Sequence, residues 1–243
     1  MSAVVRPADW TLAQEAPVAL STNGCPRGVF MVTPADYEDF ATGFLWTERI
    51  VATPDAITAI KVDVTERGTI LDVRARDADL APPDWRARRL SGRSSCGLCG
   101  IEDLEAALPP LPKLAAKPPS LAALLRAMAD LPAYQPLNRA NHSVHAAAWV
   151  GLDGAIRLAR EDVGRHNALD KLVGAMMRAD LSPDDGFLLL SSRCSYEMVQ
   201  KAAMAGMACI LSLSAPTALA VDLAAGAGMA LFARSGGSAV RLA

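Results

Sequence analysis

Two thiols three positions apart, Cys96 and Cys99, sit in the small-residue run Ser94-Ser95-Cys96-Gly97-Leu98-Cys99-Gly100. The stretch before them, from Trp85 to Ser95, carries Arg86, Arg88, Arg89 and Arg93 and no acid. Ile101-Glu102-Asp103-Leu104-Glu105 then has the character of a helix opening. A cysteine near a helix N-terminus and several guanidinium groups has a lowered pKa, and the thiolate is the nucleophile. This is where the chain would build a sulfur nucleophile, with glycines beside it so that another molecule can come close. A single CxxC leaves three chemistries open: a redox dithiol, half of a zinc site, or a sulfur carrier. Zinc takes about four ligands, usually as two close pairs. Cys25, Cys194 and Cys209 are scattered singly, and His142, His145 and His166 pair with no second CxxC, so no metal site is expected. A thioredoxin-like motif belongs at a strand-to-helix corner, whereas this one follows a long arginine-rich loop. Cys209 lies in an apolar run and reads as core, Cys194 reads as packing, and Cys25 falls in a predicted turn with no chemistry suggested around it.

A second set of chemically able residues follows the predicted strands of the C-terminal half. After a strand ending near Arg160 come Glu161, Asp162, Gly164, Arg165 and His166. After the next come Ser191, Ser192, Arg193 and Ser195, then Ser214, Pro216 and Thr217, and finally Arg234, Ser235, Gly236 and Gly237. In open α/β sheets ligands bind beyond the carboxyl ends of the strands. Three of these loops feed helix N-termini, which favour anions. Hydroxyls, backbone N–H groups and three arginines together suit a phosphate- or nucleotide-bearing ligand. His166, with polar neighbours and a helix after it, has a better claim to a role than His145, which stands between apolar residues on a strand. A structural ion pair of Asp162 with Arg165 is the plain alternative for those two. Gly226-Ala227-Gly228 is no dinucleotide fingerprint, because Leu231 stands where the third glycine would be.

The elements that must position these residues come in a clear order. Val18 to Thr22 and Gly28 to Val32 read as strands joined by the turn Asn23-Gly24-Cys25-Pro26. Thr33-Pro34 reads as an N-cap and first helical residue, and Tyr37, Phe40, Ala41, Phe44 and Leu45 follow at helical spacing. Ile57 to Val64 and Thr69 to Arg76 alternate as a hairpin. Pro109, Pro110, Pro112, Pro118 and Pro119 mark a linker, which divides the chain into an N-terminal α+β portion over 1–116 and a C-terminal α/β domain over 117–243. In the second half strands at Val144–Val150, Ile156–Arg160, Phe187–Leu190, Cys209–Ser212, Met229–Ala233 and Val240–Leu242 alternate with helices over about 167–181, 195–205 and 217–225. That rhythm predicts a layered α/β sheet with parallel pairs. The chain of 243 residues is 51% hydrophobic and 21% charged, an ordinary globular balance. Its net charge of -2 argues against general nucleic-acid binding. Met1 to Trp10 has no apolar signal core, and the apolar stretch from Ala202 to Ala233 is broken by Pro216, Asp222 and glycines, so neither export nor a membrane span is expected. Five cysteines without an export signal point to reduced thiols in a cytoplasm.

Several of these blocks, taken in order, resemble one family. Glu161-Asp162-Val163-Gly164-Arg165-His166-Asn167-Ala168-Leu169-Asp170-Lys171 is similar to the signature of the formate dehydrogenase accessory sulfurtransferases, the FdhD family. Ser95 to Gly100 resembles its thiol loop. Ser195-Tyr196-Glu197-Met198-Val199-Gln200-Lys201, Ser214-Ala215-Pro216-Thr217, Asn23-Gly24, Thr33-Pro34 and Gly43-Phe44-Leu45 resemble further blocks. The resemblance implies a three-layer mixed sheet like that of the cytidine deaminase fold, without the deaminase zinc. It implies a cytoplasmic, homodimeric sulfur carrier that takes persulfide sulfur from a cysteine desulfurase on Cys96, with Cys99 assisting. The sulfur passes to the molybdenum cofactor, in its bis(molybdopterin guanine dinucleotide) form, for formate dehydrogenase; GDP or GMP would mimic that cofactor. Phe232, Ala233, Arg234, Ser235, Gly236 and Gly237 occupy the family's cofactor segment, and Arg165, His166, Arg193 and Ser214 would complete the site. Two other readings stand beside it: a cofactor-binding chaperone without sulfur transfer, and a thiol-disulfide oxidoreductase. The chain departs from the family pattern at Asn141-His142-Ser143, where Thr-Gly-Gly is common, and at Glu48-Arg49-Ile50, where Glu-Gly-Ile is. It departs again at Ser191-Ser192-Arg193, for Ser-Gly-Arg, and at Gly237, where an arginine can occur.

Overall fold

A computed structural model describes residues 11–81, 108 and 110–243. The thiol loop with Cys96 and Cys99, and the arginines before it, lie outside the described residues. The first half builds strands β1 (Ala16–Thr22), β2 (Cys25–Val32), β3 (Ile57–Thr65) and β4 (Gly68–Ala75), with helix α1 (Tyr37–Thr47) between β2 and β3. The sheet order is β2-β1-β4-β3, with β1 and β4 parallel and the other pairs antiparallel. The hairpins foreseen at Asn23-Gly24 and Gly68 are both present. Val18, Leu20, Phe30, Val32, Leu71 and Val73 alternate onto one face and meet Phe40, Phe44 and Leu45 of α1.

The start of α1 differs from the expectation. Its N-cap is Asp36, in the left-handed region at φ 54°, and not Thr33. The Thr33 hydroxyl is occupied elsewhere: it accepts from the backbone N–H of Val163 at 3.0 Å.

The second half opens with two helices hidden in the proline-rich stretch, α2 (Leu121–Asp130) and α3 (Pro136–Asn141). Ser120 caps α2 by accepting from the Ala123 N–H. Residues 110–119 form no regular element, yet Leu111 and Leu114 pack against the main core and the Leu114 N–H donates to Ala227. Then come β5 (His145–Gly151), β6 (Ile156–Asp162), α4 (Arg165–Arg178), β7 (Gly186–Arg193), α5 (Tyr196–Met204), β8 (Cys209–Ser214), α6 (Ala218–Ala227), β9 (Ala230–Ser235) and β10 (Ser238–Arg241). The sheet order is β10-β9-β8-β7-β5-β6, parallel across β7-β8-β9 and antiparallel elsewhere. Ala147, Trp149, Leu188, Leu190, Ile210 and Leu231 face α4, α5 and α6, whereas Ala148, Val150, Leu189, Leu211 and Phe232 face Leu124, Ala127 and Leu131 of the α2 region. The molecule is thus a mixed α/β protein with two mixed sheets.

The two halves meet where α1 crosses α4. A Cβ at Gly43 would collide with the Asp170 carbonyl, and one at Gly174 with the Asp39 carbonyl, so both glycines are needed for backbone contact. Around this crossing lie buried polar groups. Lys171 Nζ reaches Asp162 Oδ2 at 2.7 Å and donates to the Thr33 carbonyl at 2.9 Å, and neither charged side chain is exposed. Lys201 Nζ donates to Asp170 at 2.8 and 3.0 Å and to Thr47 at 2.9 Å, and pairs with Glu48 at 2.8 Å. Buried charges persist only with such partners.

Candidate functional site

The registers bring the sequence-predicted loops to one edge. Arg193 of β7 lies level with Ser214 of β8, Ser212 with Ala233 of β9, Ala147 of β5 with Leu190 of β7, and His145 with Asp162 of β6. The carboxyl ends of β6, β7, β8 and β9 therefore share one edge of the sheet with the start of β5. Arg165 and His166 open α4 there, Ser195 stands at the N-cap position of α5, and Thr217 caps α6 by accepting from the Ala220 N–H. Arg234 and Ser235 end β9, and Gly236-Gly237 make the two-residue turn into β10, with Gly236 at φ 57°. Arg193, Ser214 and Arg234 to Gly237 are exposed, and Arg165 and His166 half-buried. Phe232 and Ala233 are buried in β9, Phe232 within the core against α2.

Within the signature block the chain divides its polar residues by task. Glu161 is not a ligand-loop residue. Its two carboxylate oxygens accept from the N–H groups of Leu137 and Asn138, both at 2.8 Å, and so cap α3. Asp162 does not depend on Arg165 for its charge balance. It is paired with Lys171 and also accepts from Thr33 N–H, Gly164 N–H and Asn167 Nδ2, each at 2.9 Å. Asn167 reaches the Met31 carbonyl as well, at 2.8 Å. These bonds fix the first turn of α4, which leaves Arg165 and His166 at the edge.

His166 Nε2 lies 2.8 Å from Glu197 Oε2 of α5, a partner that spacing did not suggest although Glu197 stood in a recognisable block. A carboxylate on one ring nitrogen fixes the orientation of the imidazole. His145 stands beside them. Burial, with Arg165 and His166 adding to it and Asp162 opposing, holds its pKa below the ordinary histidine value. Ser195 Oγ is buried and accepts or donates no hydrogen bond among the described residues. Three helix N-termini, three arginines and several hydroxyls on one rim can hold phosphate groups. Among the described residues no cluster of three or more His, Cys, Asp or Glu could hold a metal ion, and no helix is long and apolar enough to cross a membrane.

The thiols in this half are poor nucleophiles. Cys194 is fully buried between β7 and α5, and burial pushes its pKa up to about 12. Cys209 is buried and its pKa is likewise raised by burial. An open groove of about 450 Å³ lies elsewhere, at the far end of α4, lined by Glu38, Asp55, Ile60, Met177 and Arg178. It is roughly 18 Å from His166 at a helix rise of ~1.5 Å per residue. Its two acids, with Arg178 already paired to Glu38 and Asp39, make it a poor seat for an anion.

The chain and its fold have known relatives. A crystal structure of a formate dehydrogenase accessory protein from Desulfotalea psychrophila superposes with a TM-score of 0.75 at 26% identity, over 99% of this chain and 94% of that one. A protein of Xanthomonas campestris named sulfur carrier protein FdhD is 46% identical over 92% of this chain and 80% of its own length. Proteins of the same name from Chromobacterium violaceum and Bordetella petrii are 47% and 43% identical, over 92% and 94% of this chain and 84% of each relative. The family model of the FdhD/NarQ family matches residues 13–241, and the chain belongs to that family.

Proposed function

We propose that the chain carries sulfane sulfur on Cys96 and delivers it to a bis(molybdopterin guanine dinucleotide) molybdenum cofactor in the maturation of formate dehydrogenase. The protein is a sulfur carrier, as its relatives are named. The observation that supports the cofactor reading is the convergence of Arg165, Arg193 and Arg234 with the N-termini of α4, α5 and α6 on one sheet edge. That rim suits the pyrophosphates of a large dinucleotide, with Ser214 and the Phe232–Gly237 segment beside it and His166 held by Glu197. In the loading step the Cys96 thiolate attacks the outer sulfur of the persulfide of a cysteine desulfurase. A new S–S bond forms, the old one breaks, and the donor leaves as a thiolate. Cys99 assists the onward relay. The burial of Cys194 and Cys209 supports giving this task to the CxxC pair. The same proposal includes a cytidine deaminase-like larger sheet, a homodimer and a cytoplasmic setting.

Cys96→Ala is the test. The variant is expected to bind GDP as the wild type does, to show no added sulfur at the Cys96–Cys99 peptide after incubation with a desulfurase and cysteine, and to fail to activate formate dehydrogenase. Full activation by the variant would refute the assignment and leave a cofactor-holding chaperone in its place.

A further inference from the structure

We propose that Cys25 is a second sulfur-carrying thiol, with Thr22 and Arg27 arranged to hold the outer sulfur of its persulfide. The inference rests on the sulfur-carrier reading of the chain, but on a different thiol. In the β1–β2 ladder Thr22 stands directly opposite Cys25, so both side chains leave the sheet on the same face. That is the core face: Val18, Leu20 and Thr22 alternate onto it, each at most 2% exposed. Between Leu20 and Ser21 the register slips, with Pro26 opposite Ser21 and Gly28 opposite Leu20. Arg27 is the extra residue of this bulge, two positions from Cys25, and it is 8% exposed.

Two donors here lack an acceptor. Arg27 Nε is buried without a hydrogen-bond partner, and so is Thr22 Oγ1. Among the described residues Arg27 forms no ion pair. A buried N–H without an acceptor is costly, and buried polar groups in folded proteins are nearly always satisfied. Burial lowers the Arg27 pKa, and negative charge placed on the Cys25 sulfur would oppose that lowering. Cys25 itself is only half-buried, next to the two-residue turn Asn23-Gly24, so a donor can reach it. What the site lacks is an anion attached to that sulfur. A persulfide supplies it: the outer sulfur extends about 2.05 Å beyond Sγ and accepts from both donors. The chemistry needs no oxidant. The Cys25 thiolate attacks the outer sulfur of an R–S–SH donor, the Cys25–sulfur bond forms as the R–S bond to that sulfur breaks, and RS⁻ leaves with the electron pair and takes up the proton given up by Cys25. Cys25 lies roughly 26 Å along β2 from Thr33 at ~3.3 Å per residue, so this station is remote from the carboxyl edge that Thr33 touches.

The experiment loads the full chain with glutathione persulfide, caps it by alkylation and weighs the peptides. In the wild type and in a Cys96→Ser/Cys99→Ser variant the Cys25 peptide gains one sulfur. In Cys25→Ser it gains none. Thr22→Val keeps the side-chain shape, removes one orphaned donor and leaves the melting temperature no lower. It should reduce occupancy of Cys25 roughly tenfold, the effect of losing one hydrogen bond to a charged acceptor. A wild-type protein loaded at Cys96 but not at Cys25 overturns the inference and leaves the Cys96 assignment standing. Loading at Cys25 but not at Cys96 does the reverse. Equal loading of Cys25 in Thr22→Val and wild type also overturns it.

Discussion

Replacing Lys171 by Met should cost this protein several kcal/mol, for reasons that can be worked through. Lys171 and Asp162 are both unexposed and 2.7 Å apart. Met fills nearly the same space without an ammonium group, so the main effect is a buried carboxylate without its cation. Breaking a buried pair from one side costs about 3–5 kcal/mol. Asp162 keeps three N–H donors, from Thr33, Gly164 and Asn167, which places the expected loss at the low end, about 3 kcal/mol. For a chain of this size each kcal/mol lowers Tm by ~2–4 °C, so the variant should melt about 6–12 °C early. Urea unfolding of Lys171→Met and of the double variant Asp162→Asn/Lys171→Met measures both terms. Removing the charge along with its partner should return most of the loss, because Asn still accepts at one oxygen. A single variant within about 1 kcal/mol of wild type, or a double variant no better than the single, refutes the reasoning.

Gly43→Ala should destabilise by about 1–3 kcal/mol or prevent folding, because its Cβ meets backbone rather than a movable side chain; thermal melts check this. Cys194, with its pKa pushed up to about 12, should escape iodoacetamide at pH about 8 in the native protein and react once denatured, as peptide mapping would show. For Lys201, burial lowers the pKa but Asp170 and Glu48 more than offset it, so the folded value is raised. Its contribution to stability is then complete below the unfolded lysine value of about 10.4 and is lost as pH rises through the higher folded value. Urea unfolding at increasing alkaline pH should show a steeper decline for wild type than for Lys201→Met, and equal slopes would remove that group from the account.

The strand and helix rhythm of the second half was legible because its strands are short apolar runs and its helices are separated by glycine or proline. The helix α2 was obscured by the prolines in front of it, although Ser120 is an N-cap and Ala123, Leu124, Ala127 and Leu131 follow at helical spacing. The tightest α1–α4 contact was partly legible, since Gly43 stood in a recognised block, but nothing local points to Gly174 as its counterpart. Two departures from the family pattern acquire a physical reading. Arg49 and His142 stand where the family commonly has glycine, and both adopt left-handed backbone, at φ 57° and 54°. The chain accepts that strain and gives Arg49 work: its guanidinium donates to the Pro110 carbonyl at 3.0 Å and contacts Met204 at 3.0 Å. The thiol loop is different again, since its chemistry was legible from sequence while its placement lies outside the described residues.

The polar stripe of α4 has a structural task that its spacing alone did not reveal. Asn167, Asp170, Lys171 and Gly174 recur at helical spacing, and such a stripe normally faces water. Here it faces the first half of the chain. Asn167 holds Met31, Lys171 holds Thr33, Asp170 holds Thr47, and Gly174 touches Asp39, while Ala168, Leu169, Leu172, Val173 and Met176 pack on the sheet. Every residue of α4 from Asn167 to Met176 is buried, so its polar residues act as a clamp between the two sheets. Its first turn, Arg165 and His166, lies at the edge. A single short motif can therefore carry both the joint of the molecule and part of its ligand rim, and a substitution at 170 or 171 should disturb the rim by moving the helix that carries it.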